Sequence, residues 1–399
     1  MIALYVNNFF KSKKIACLKE CPWKSLHQSI NNYEQEDPME RVHNFNAGPA
    51  VLPEEVLREA QADLFNYKGM GLSVMEMSHR SKEYQAIIDE TRAAVKRIYN
   101  LGDDYDVLFL QGGASMQFLM VPMSFVPEGK TPNIVHTGTW SKKAIAEIKK
   151  LGLPVHLAAS SEEKSFSYIP KTHQLSDNPA YLHITTNNTI YGTEWHHDPE
   201  VDPAVPLIAD MSSNFMSKPI DVNKYSMIYA GAQKNVGPAG CAVVIIKKDF
   251  LATAKEGLPS MLDYNVHAKA GSMYNTPPTF TIYMIGLVLK WIEDMGGLEK
   301  LAVNNQVKAK YIYDAIDNSH GFYKGTVVPE DRSLMNITFR MPTEELEALF
   351  ISEAKKAGMI GLKGHRSVGG CRASTYNSLP LPAAHALAEF MQDFVKKHG

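Results

Sequence analysis

Short apolar runs alternate with longer amphipathic segments from residue 44 onward, a pattern typical of α/β proteins. Seven apolar runs predict buried strands, at residues 105–111, 133–136, 154–158, 180–185, 206–209, 226–229 and 241–246. Segments with helical periodicity lie around them, at 53–63, 83–99, 113–123, 141–151, 279–295 and 298–318. We therefore expect one large sheet that packs against helices.

The elements after residue 318 form a shorter series, with strands at 335–339 and 372–376 and helices at 343–357 and 381–397. We predict a large domain over 54–297 and a small α/β domain made of 44–53 and 298–399. The first 43 residues differ, because a basic stretch is followed by a polar and acidic one. We predict a disordered extension over 1–43, for which a wrongly assigned translation start upstream of Met39 is one explanation.

Two predicted strands end at residues that could carry chemistry. The run at 206–209 ends at the carboxylate of Asp210, and the run at 226–229 leads through a glycine-rich loop to Lys234. Burial forces a carboxylate to find a cationic or hydrogen-bonding partner and makes a lysine nucleophilic near neutral pH. An amine for the aldehyde and an acid for the ring nitrogen are what pyridoxal 5'-phosphate requires. The alternatives are an N-cap for Asp210 and an exposed position for Lys234.

Three further strand ends could surround the same cofactor. Gly112 and Gly113 join a strand to a helix, where backbone N–H groups either cradle a phosphate or form a plain tight turn. The indole of Trp140 could stack on a flat ring or belong to the core. The hydroxyl of Thr189 could reach a ring oxygen or close a turn. Each feature is ambiguous alone, but together with the lysine and the carboxylate they predict one site.

Two His-Arg dipeptides and one further arginine are candidates for binding an anionic substrate. The dipeptides are His79–Arg80 and His365–Arg366, and Arg372 follows the second one. Arginine binds carboxylate or phosphate in a bidentate manner, and a neighbouring histidine adds a donor. Solvated surface residues are the alternative, but both dipeptides together with a lysine–aspartate site favour a clamp for a dianionic group.

Composition narrows the classes of partner and the compartment. With 41 basic and 43 acidic side chains in 399 residues, the net charge of -2 gives no sign of a nucleic-acid or anionic membrane partner. No apolar run approaches the roughly 20 residues of a membrane span. Four scattered cysteines do not make a disulfide framework, which favours a reducing compartment, the cytoplasm.

Two weak metal signals are present, and we predict no metal site from either. Cys17 and Cys21 form an isolated pair. His196, His197 and Asp198 are adjacent in sequence, and adjacent side chains rarely point at one ion. We interpret this second group as a surface loop.

The chain resembles the phosphoserine aminotransferases, fold-type I pyridoxal phosphate enzymes among the class V aminotransferases. The resemblance runs from residue 44 to the C-terminal helix and excludes the first 40 residues. Its most specific motifs are Met-Glu-Met-Ser-His-Arg at 75–80, Gly-Thr-Trp at 138–140, Ala-Asp-Met-Ser-Ser at 209–213, Gly-Ala-Gln-Lys-Asn-Val-Gly-Pro-Ala-Gly at 231–240, Tyr-Asn-Thr-Pro-Pro at 274–278 and Gly-His-Arg at 364–366. It implies a large domain with a mainly parallel seven-stranded sheet between helices, plus a smaller α/β C-terminal domain.

The same resemblance implies roles for the cofactor-binding residues. Lys234 would be the Schiff-base lysine, Asp210 the partner of the pyridine nitrogen, Trp140 the stacking residue and Thr189 the neighbour of the 3-hydroxyl oxygen. The cofactor phosphate would be held by Ala114, Ser115 and Gln233 from the same subunit. Asn275 and Thr276 from the other subunit would complete this phosphate site. A homodimer with shared active sites is therefore implied.

The resemblance also implies how the substrates bind. His79 and Arg80 would cross the subunit interface and meet His365 and Arg366 around the substrate phosphate, while Arg372 would bind the α-carboxylate. The implied reaction transfers an amino group between L-glutamate and 3-phosphooxypyruvate, giving O-phospho-L-serine and 2-oxoglutarate in L-serine biosynthesis. The sequence leaves open whether 4-phosphooxy-L-threonine, in pyridoxine biosynthesis, is also a substrate.

Three alternative functions are set against this one. Two are other class V activities, cysteine desulfurase and alanine–glyoxylate aminotransferase, and the third is a non-catalytic phosphate-ligand-binding protein. A desulfurase needs a mobile catalytic cysteine, and none of the four cysteines lies in an obvious active-site loop. The presence of both Lys234 and Asp210 argues against the non-catalytic alternative.

Overall fold

The computed structural model describes residues 41–399. The predicted extension up to residue 40, with Cys17 and Cys21, lies outside the described residues. The first strand, β1 (His43–Asn44), pairs in parallel with a later strand at Met359–Ile360. His43, the last residue of the predicted extension, therefore already belongs to a strand.

The seven predicted strands form one sheet. They are β2 (Tyr105–Leu110), β3 (Thr131–His136), β4 (His156–Ser160), β5 (Pro179–Thr185), β6 (Leu207–Asp210), β7 (Met227–Gly231) and β8 (Ala242–Lys247). Their spatial order is β2-β8-β7-β6-β5-β3-β4. Strand β8 runs antiparallel to β2 and β7, and the other neighbours pair in parallel. The expected mainly parallel seven-stranded sheet is confirmed.

Helices cover both faces of this sheet. They are α1 (Glu54–Asn66), α2 (Lys82–Ile98), α3 (Gly113–Phe125), α4 (Thr139–Lys150), α5 (Lys248–Leu251), α6 (Tyr264–Lys269) and α7 (Thr279–Asp294). Side chains alternate along each strand, so Val243 and Ile245 of β8 pack in a core with α1, α2 and α7, whereas Val244 and Ile246 pack in a second core with α3 to α6. Burial on both faces explains the nearly continuous apolar runs in the sequence.

A further hydrophobic core is formed by the last third of the chain. It is built from α8 (Gly297–Asp317), β9 (Lys324–Gly325), β10 (Asn336–Arg340), α9 (Glu344–Lys356), β11 (Met359–Ile360), β12 (Cys371–Ser374) and α10 (Leu381–His398). Strand β10 lies between β9 and β12, antiparallel to both. Phe45 and Val51 pack into this core from the start of the chain. The division into two domains stays a prediction, because His43–Gly399 forms one compact unit.

Several predicted boundaries are shifted by two or three residues, and three of these shifts concern elements near the candidate site or its neighbours. Strand β4 begins two residues later than predicted, because Pro154 has no N–H to donate to a neighbouring strand. Helix α4 begins at Thr139 and not at residue 141, because the Ser141 hydroxyl accepts hydrogen bonds from the N–H groups of Thr137 and Gly138. Strand β12 ends at Ser374, so Tyr376 lies beyond it.

Candidate active site

The carboxyl ends of β6 and β7 bring together the predicted aspartate and lysine. Asp210 is the last residue of β6, and Lys234 lies three residues after β7. Ser212 links the two strand ends. Its N–H and its hydroxyl donate to Asp210 Oδ1 at 2.9 and 2.6 Å, and its hydroxyl oxygen accepts from the N–H of Gly231, at the end of β7, at 3.0 Å. Parallel strands end at the same edge of a sheet, so this arrangement follows from the topology.

Lys234 is a buried amine with a hydroxyl partner. Its side chain is 9% exposed, and its Nζ donates to Thr189 Oγ1 at 2.6 Å. Burial lowers the pKa of Lys234, the carboxylate of Asp210 opposes this effect and the positive charge of Arg372 adds to it, and the resulting pKa is about 8. A substantial fraction of this amine is therefore neutral and nucleophilic at physiological pH.

Asp210 is buried, and no cationic side chain in residues 41–399 is bonded to it. Burial raises its pKa, and the hydrogen bonds from Ser212 and the charge of Lys234 only partly oppose that effect. Both hydrogen bonds from Ser212 go to Oδ1, and no donor among the described residues bonds to Oδ2. A buried carboxylate in this state favours a cationic ligand that donates a hydrogen bond.

A cavity of about 330 Å³ lies beside these two residues. One wall is the glycine turn before α3, where Gly112 has a φ of +82° and a Cβ would lie 2.7 Å from Met116 Cβ. Only glycine fits this turn, and the first residues of the 13-residue helix that follows it line the cavity, where a helix N-terminus offers free N–H groups to an anion. The predicted phosphate-binding residues of this protomer all line it: Ala114, Ser115 and Gln233.

Trp140 also lines this cavity, in the first turn of α4. The Lys234 Nζ lies 5.2 Å from the centre of its ring, and Lys143 Nζ lies 4.6 Å from that centre. Its indole Nε1 is buried and has no hydrogen-bond partner among the described residues. The structure thus brings together Trp140, Thr189, Asp210 and Lys234, four of the predicted cofactor-binding residues.

Arg372 approaches the lysine from β12. Its Nη1 donates to the backbone oxygen of Thr189 at 3.0 Å, and its Nε is buried without a hydrogen-bond partner in the described chain. Burial lowers the pKa of this guanidinium, which still stays charged at neutral pH. Arg372 therefore holds Thr189, which in turn contacts Lys234, and the Arg372 Nε remains able to donate to an anion.

His365 and Arg366 lie on a tight loop that precedes β12. The N–H of Gly364 donates to the oxygen of Gly370 at 2.8 Å, and the His365 oxygen accepts from the N–H of Gly369 at 2.9 Å. His365 and Arg372 both line a second cavity of about 330 Å³. Burial lowers the pKa of His365, and the charges of Arg372, Arg366 and Lys143 lower it further. Positive charge thus accumulates beside the candidate site, as binding of an anion requires.

Four predicted site residues, on two other loops, line neither of these two cavities in this protomer. His79 and Arg80 lie in the turn before α2. Asn275 and Thr276 both contact Gln111. Asn275 Nδ2 donates to Gln111 Oε1 at 3.3 Å, and Gln111 Nε2 donates to the backbone oxygen of Thr276 at 3.0 Å. The structure of one protomer therefore does not bring these four residues to the candidate site.

Two residues of the second weak metal signal have protein hydrogen-bond partners. Asp198 accepts from the Tyr225 hydroxyl, and His196 Nε2 lies 2.9 Å from the backbone oxygen of Arg332. In residues 41–399, no group of three or more His, Cys, Asp or Glu side chains could hold a metal ion. Over the same residues, none of the helices is both long enough and apolar enough to cross a membrane.

Two residues of the site were missed from the sequence. Ser212 supports Asp210, and an Asp-x-Ser spacing, typical of a turn in which the aspartate accepts from the second residue on, could have indicated it. Tyr376 is fully buried and its hydroxyl donates to the backbone oxygen of Ala47 at 2.8 Å. Nothing local in the sequence signals this contact, which joins residues far apart along the chain.

Comparisons with known proteins agree with this geometry. The family model of class-V aminotransferases matches residues 42–380. The phosphoserine aminotransferase of Lysinibacillus sphaericus is 55% identical over 361 residues, which are 90% of this chain and 99% of that protein. The solved phosphoserine aminotransferase from Bacillus circulans subsp. alkalophilus has 50% identity and a TM-score of 0.88, covering 90% of this chain and 99% of the other. The pyridoxal phosphate-bound phosphoserine aminotransferase from Trichomonas vaginalis has 40% identity and a TM-score of 0.84, covering 88% and 100%.

Proposed function

We propose that this chain, which belongs to the class-V aminotransferase family, transfers an amino group between L-glutamate and 3-phosphooxypyruvate. The products are 2-oxoglutarate and O-phospho-L-serine, in a step of L-serine biosynthesis. One observation carries the proposal: a buried amine, Lys234, and a buried carboxylate, Asp210, meet at one cavity, and Arg372 bonds to the threonine that holds the amine. Relatives with more than half of their residues identical bear the name of this activity.

Pyridoxal 5'-phosphate is the cofactor, and the residues around the cavity fit it. Asp210 Oδ2 would accept from the protonated ring nitrogen, which supplies the cation that this buried carboxylate needs. Trp140 would lie against the ring, and the first N–H groups of α3, at Ala114 and Ser115, would hold the phosphate together with Gln233. When bound, the cofactor supplies a carbonyl carbon for the substrate amine and a ring that takes up electron density from Cα.

Lys234 would act twice in the reaction. Its neutral amine, favoured by a pKa of about 8, would bond the aldehyde carbon of the cofactor in the resting enzyme. Once released by the substrate amine, its Nζ would remove the proton from the substrate Cα and deliver it to the former aldehyde carbon of the cofactor, on the other side of the substrate nitrogen. Thr189 Oγ1, at 2.6 Å, holds this amine while it is free.

The cationic residues would select the substrates. Arg372 would bind the α-carboxylate of both substrates, because its buried Nε lacks a partner in the described residues. His365 and Arg366 would bind the phosphate, and the second carboxylate of glutamate would use the same clamp. An uncharged substrate would leave these cations without a partner, which supports selection of a dianion.

We propose a homodimer in which the partner subunit completes the site. The partner subunit's His79 and Arg80 would join the phosphate clamp, and the partner subunit's Asn275 and Thr276 would complete the cofactor phosphate site. In support, Arg80 is exposed and has no ion-pair partner among residues 41–399. We also propose the cytoplasm as the location, since the cysteines of the described chain, Cys241 and Cys371, are free thiols.

The two cysteines in residues 41–399 give the desulfurase alternative little support. Cys241 and Cys371 are both buried, and burial raises the pKa of each thiol, that of Cys241 to about 12. A catalytic cysteine needs the opposite, an exposed thiol with a lowered pKa.

The decisive experiment is an assay of glutamate-dependent turnover of 3-phosphooxypyruvate by the wild type and by Lys234→Ala. We expect activity only in the wild type and in a control, Lys310→Ala, whose lysine is exposed on α8. Equal activity of wild type and Lys234→Ala would refute the role of the lysine. Turnover of glyoxylate but not of 3-phosphooxypyruvate would refute the substrate. Tight binding of O-phosphoserine without turnover would indicate the non-catalytic alternative.

A further inference from the structure

The loop at residues 364–370 carries His365 on a tightly closed turn. A Cβ on Gly364 would lie 2.0 Å from the backbone oxygen of Gly369, so only glycine allows the two ends of the loop to approach this closely. The His365 oxygen accepts from the N–H groups of Val368 at 3.0 Å and of Gly369 at 2.9 Å. The backbone of His365 is therefore fixed from within the loop, before any ligand binds.

The side chain of His365 is held by Ser367, two residues further along this loop. The backbone N–H of Ser367 donates to His365 Nδ1 at 3.2 Å, and the Ser367 hydroxyl lies 2.7 Å from the same nitrogen. A backbone N–H can only donate, so Nδ1 accepts and carries no hydrogen in the neutral ring. The Ser367 hydroxyl, which can donate or accept, then donates to Nδ1 as well. A neutral imidazole has one ring hydrogen, and in His365 this hydrogen is therefore on Nε2.

The other ring nitrogen, His365 Nε2, is the one available to a ligand. Within residues 41–399, hydrogen bonds to this ring are made at Nδ1 alone. His365 lines the second cavity together with Lys164, Arg340 and Arg372, and no aspartate or glutamate of the described chain lines it. Burial, with neighbouring positive charge, lowers the pKa of His365. The ring is therefore neutral near physiological pH as long as no anion is bound beside it.

We propose that Ser367 is a positioning residue for the phosphate clamp of His365 and Arg366: it holds His365 Nδ1 with two donors, so that the ring presents Nε2–H to the substrate phosphate. The inference rests on the proposed function, because the phosphate is that of 3-phosphooxypyruvate. A ring whose tautomer and orientation are fixed in advance loses little conformational freedom when the substrate binds. The arginines supply the positive charge, and His365 adds an uncharged donor whose direction is set by the loop.

Two amide substitutions distinguish the two ring nitrogens in the full-length, cofactor-loaded enzyme. The amide nitrogen of glutamine lies close to the position of histidine Nε2, and that of asparagine lies close to the position of Nδ1. Both amides are uncharged. We expect His365→Gln to keep KM for 3-phosphooxypyruvate within about threefold of the wild type and His365→Asn to raise it at least about tenfold, because only glutamine keeps the donor to the phosphate. Both variants should retain the visible absorbance of the bound cofactor.

Ser367→Ala tests the positioning role. It removes the shorter of the two hydrogen bonds to Nδ1 and leaves the backbone N–H in place, so we expect KM for 3-phosphooxypyruvate to rise about threefold to tenfold while kcat is unchanged. Ser367 is exposed, so Ser367→Thr has room for its methyl group, keeps the hydroxyl and should restore the wild-type KM. The control is Ser160→Ala, which should not change KM. The Ser160 hydroxyl also bonds two residues along the chain, to the N–H of Glu162 at 3.1 Å, and to no histidine in residues 41–399.

A measurement without substrate tests the tautomer directly. In solid-state NMR spectra of protein labelled with ¹³C and ¹⁵N in its histidines, protonated and unprotonated ring nitrogens resonate far apart, and their couplings to the ring carbons identify Nδ1 and Nε2. The His365 signals are those that are missing from His365→Gln. We expect a hydrogen on Nε2 and none on Nδ1 in the cofactor-loaded wild type.

Three results would overturn the proposal. A hydrogen on Nδ1 in the wild type, or a KM that His365→Asn retains and His365→Gln loses, would contradict the tautomer. The same KM change in both amide variants, or none in either, would show that Nε2–H is not an uncharged donor to the phosphate. An unchanged KM in Ser367→Ala, or a fall in kcat and thermal stability alone, would give Ser367 a merely structural role. Failure of the proposed function would be recognised separately, as a wild type that does not turn over 3-phosphooxypyruvate although its ring spectrum shows the hydrogen on Nε2.

Discussion

Asp210→Asn should weaken cofactor binding and at the same time stabilise the protein without its cofactor. The amide can keep both hydrogen bonds from Ser212 on Oδ1 and replaces only Oδ2, the oxygen that we propose accepts from the ring nitrogen. Burial raises the pKa of Asp210, so the native protein binds its proton more tightly than the unfolded chain does. Above the unfolded pKa this carboxylate therefore reduces stability, and a neutral amide removes that cost at pH 7.

The loss of cofactor affinity should be the larger effect. Removal of one partner from a buried ion pair costs about 3–5 kcal/mol, which corresponds to roughly 10²- to 4 × 10³-fold in the dissociation constant. An amide can still donate to an unprotonated ring nitrogen, so we expect the lower end, about 10²-fold. Amino transfer should fall further than binding does, because the amide cannot stabilise a proton on the ring nitrogen.

Two measurements separate these effects: titration of the cofactor-free protein with pyridoxal 5'-phosphate, and thermal unfolding of that protein at pH 7. Asp331→Asn is the control, since Asp331 is also buried but is paired with Lys171 at 2.8 Å. We expect the control to lose stability and keep its cofactor affinity. A dissociation constant for Asp210→Asn within about threefold of the wild type would refute a charged pair with the ring nitrogen, because such a pair is worth far more.

Three further outcomes are expected. Arg366→Ala should raise KM for 3-phosphooxypyruvate at least about tenfold while the visible absorbance of the bound cofactor is retained. The control is Lys363→Ala, which removes an exposed lysine nearby and should change neither quantity. Loss of the absorbance in Arg366→Ala would assign the arginine to the cofactor instead. Arg340→Gln should also raise this KM, since Arg340 Nη1 donates to the Val368 oxygen at 3.1 Å in the loop that carries His365 and Arg366. Unchanged kinetics would exclude a role of Arg340 in holding that loop. Burial lowers the pKa of Lys308 to about 7, so wild-type stability in urea should rise with pH between about 7 and 10.5 by up to about 1.4 kcal/mol per pH unit, and Lys308→Met should reduce that slope.

The sequence was sufficient to predict the residues that end strands. Asp210 and Lys234 follow apolar runs whose length and composition define buried parallel strands, and such strands end at one edge of a sheet. Strands that follow each other in the sequence are usually neighbours in the sheet, as β6 and β7 are, so their ends were expected to lie close together. The turn before α3 was predictable from its two glycines, because the left-handed backbone conformation of Gly112 favours glycine.

Contacts across the two ends of the chain could not be predicted in this way. Arg372 meets Thr189 across 183 residues, and Tyr376 meets Ala47 across 329 residues. These contacts depend on the register of β12 against β10 and on the packing of that sheet against the strand ends, neither of which has a local pattern. The helix that carries Trp140 also begins two residues earlier than predicted, because the Ser141 hydroxyl accepts hydrogen bonds from the backbone before it.

The same long-range contacts explain how substrate binding could change the lysine. Burial and the charge of Arg372 lower the pKa of Lys234, while the carboxylate of Asp210 acts against them. If Arg372 binds the α-carboxylate, as we propose, the substrate neutralises the one cation that disfavours the ammonium form. The pKa of the free lysine should then rise when substrate is bound, which makes Lys234 a stronger proton acceptor at the stage when the Cα proton must be removed. The neutral amine needed to bond the cofactor and the stronger base needed for proton transfer would thus be favoured at different steps by one arginine.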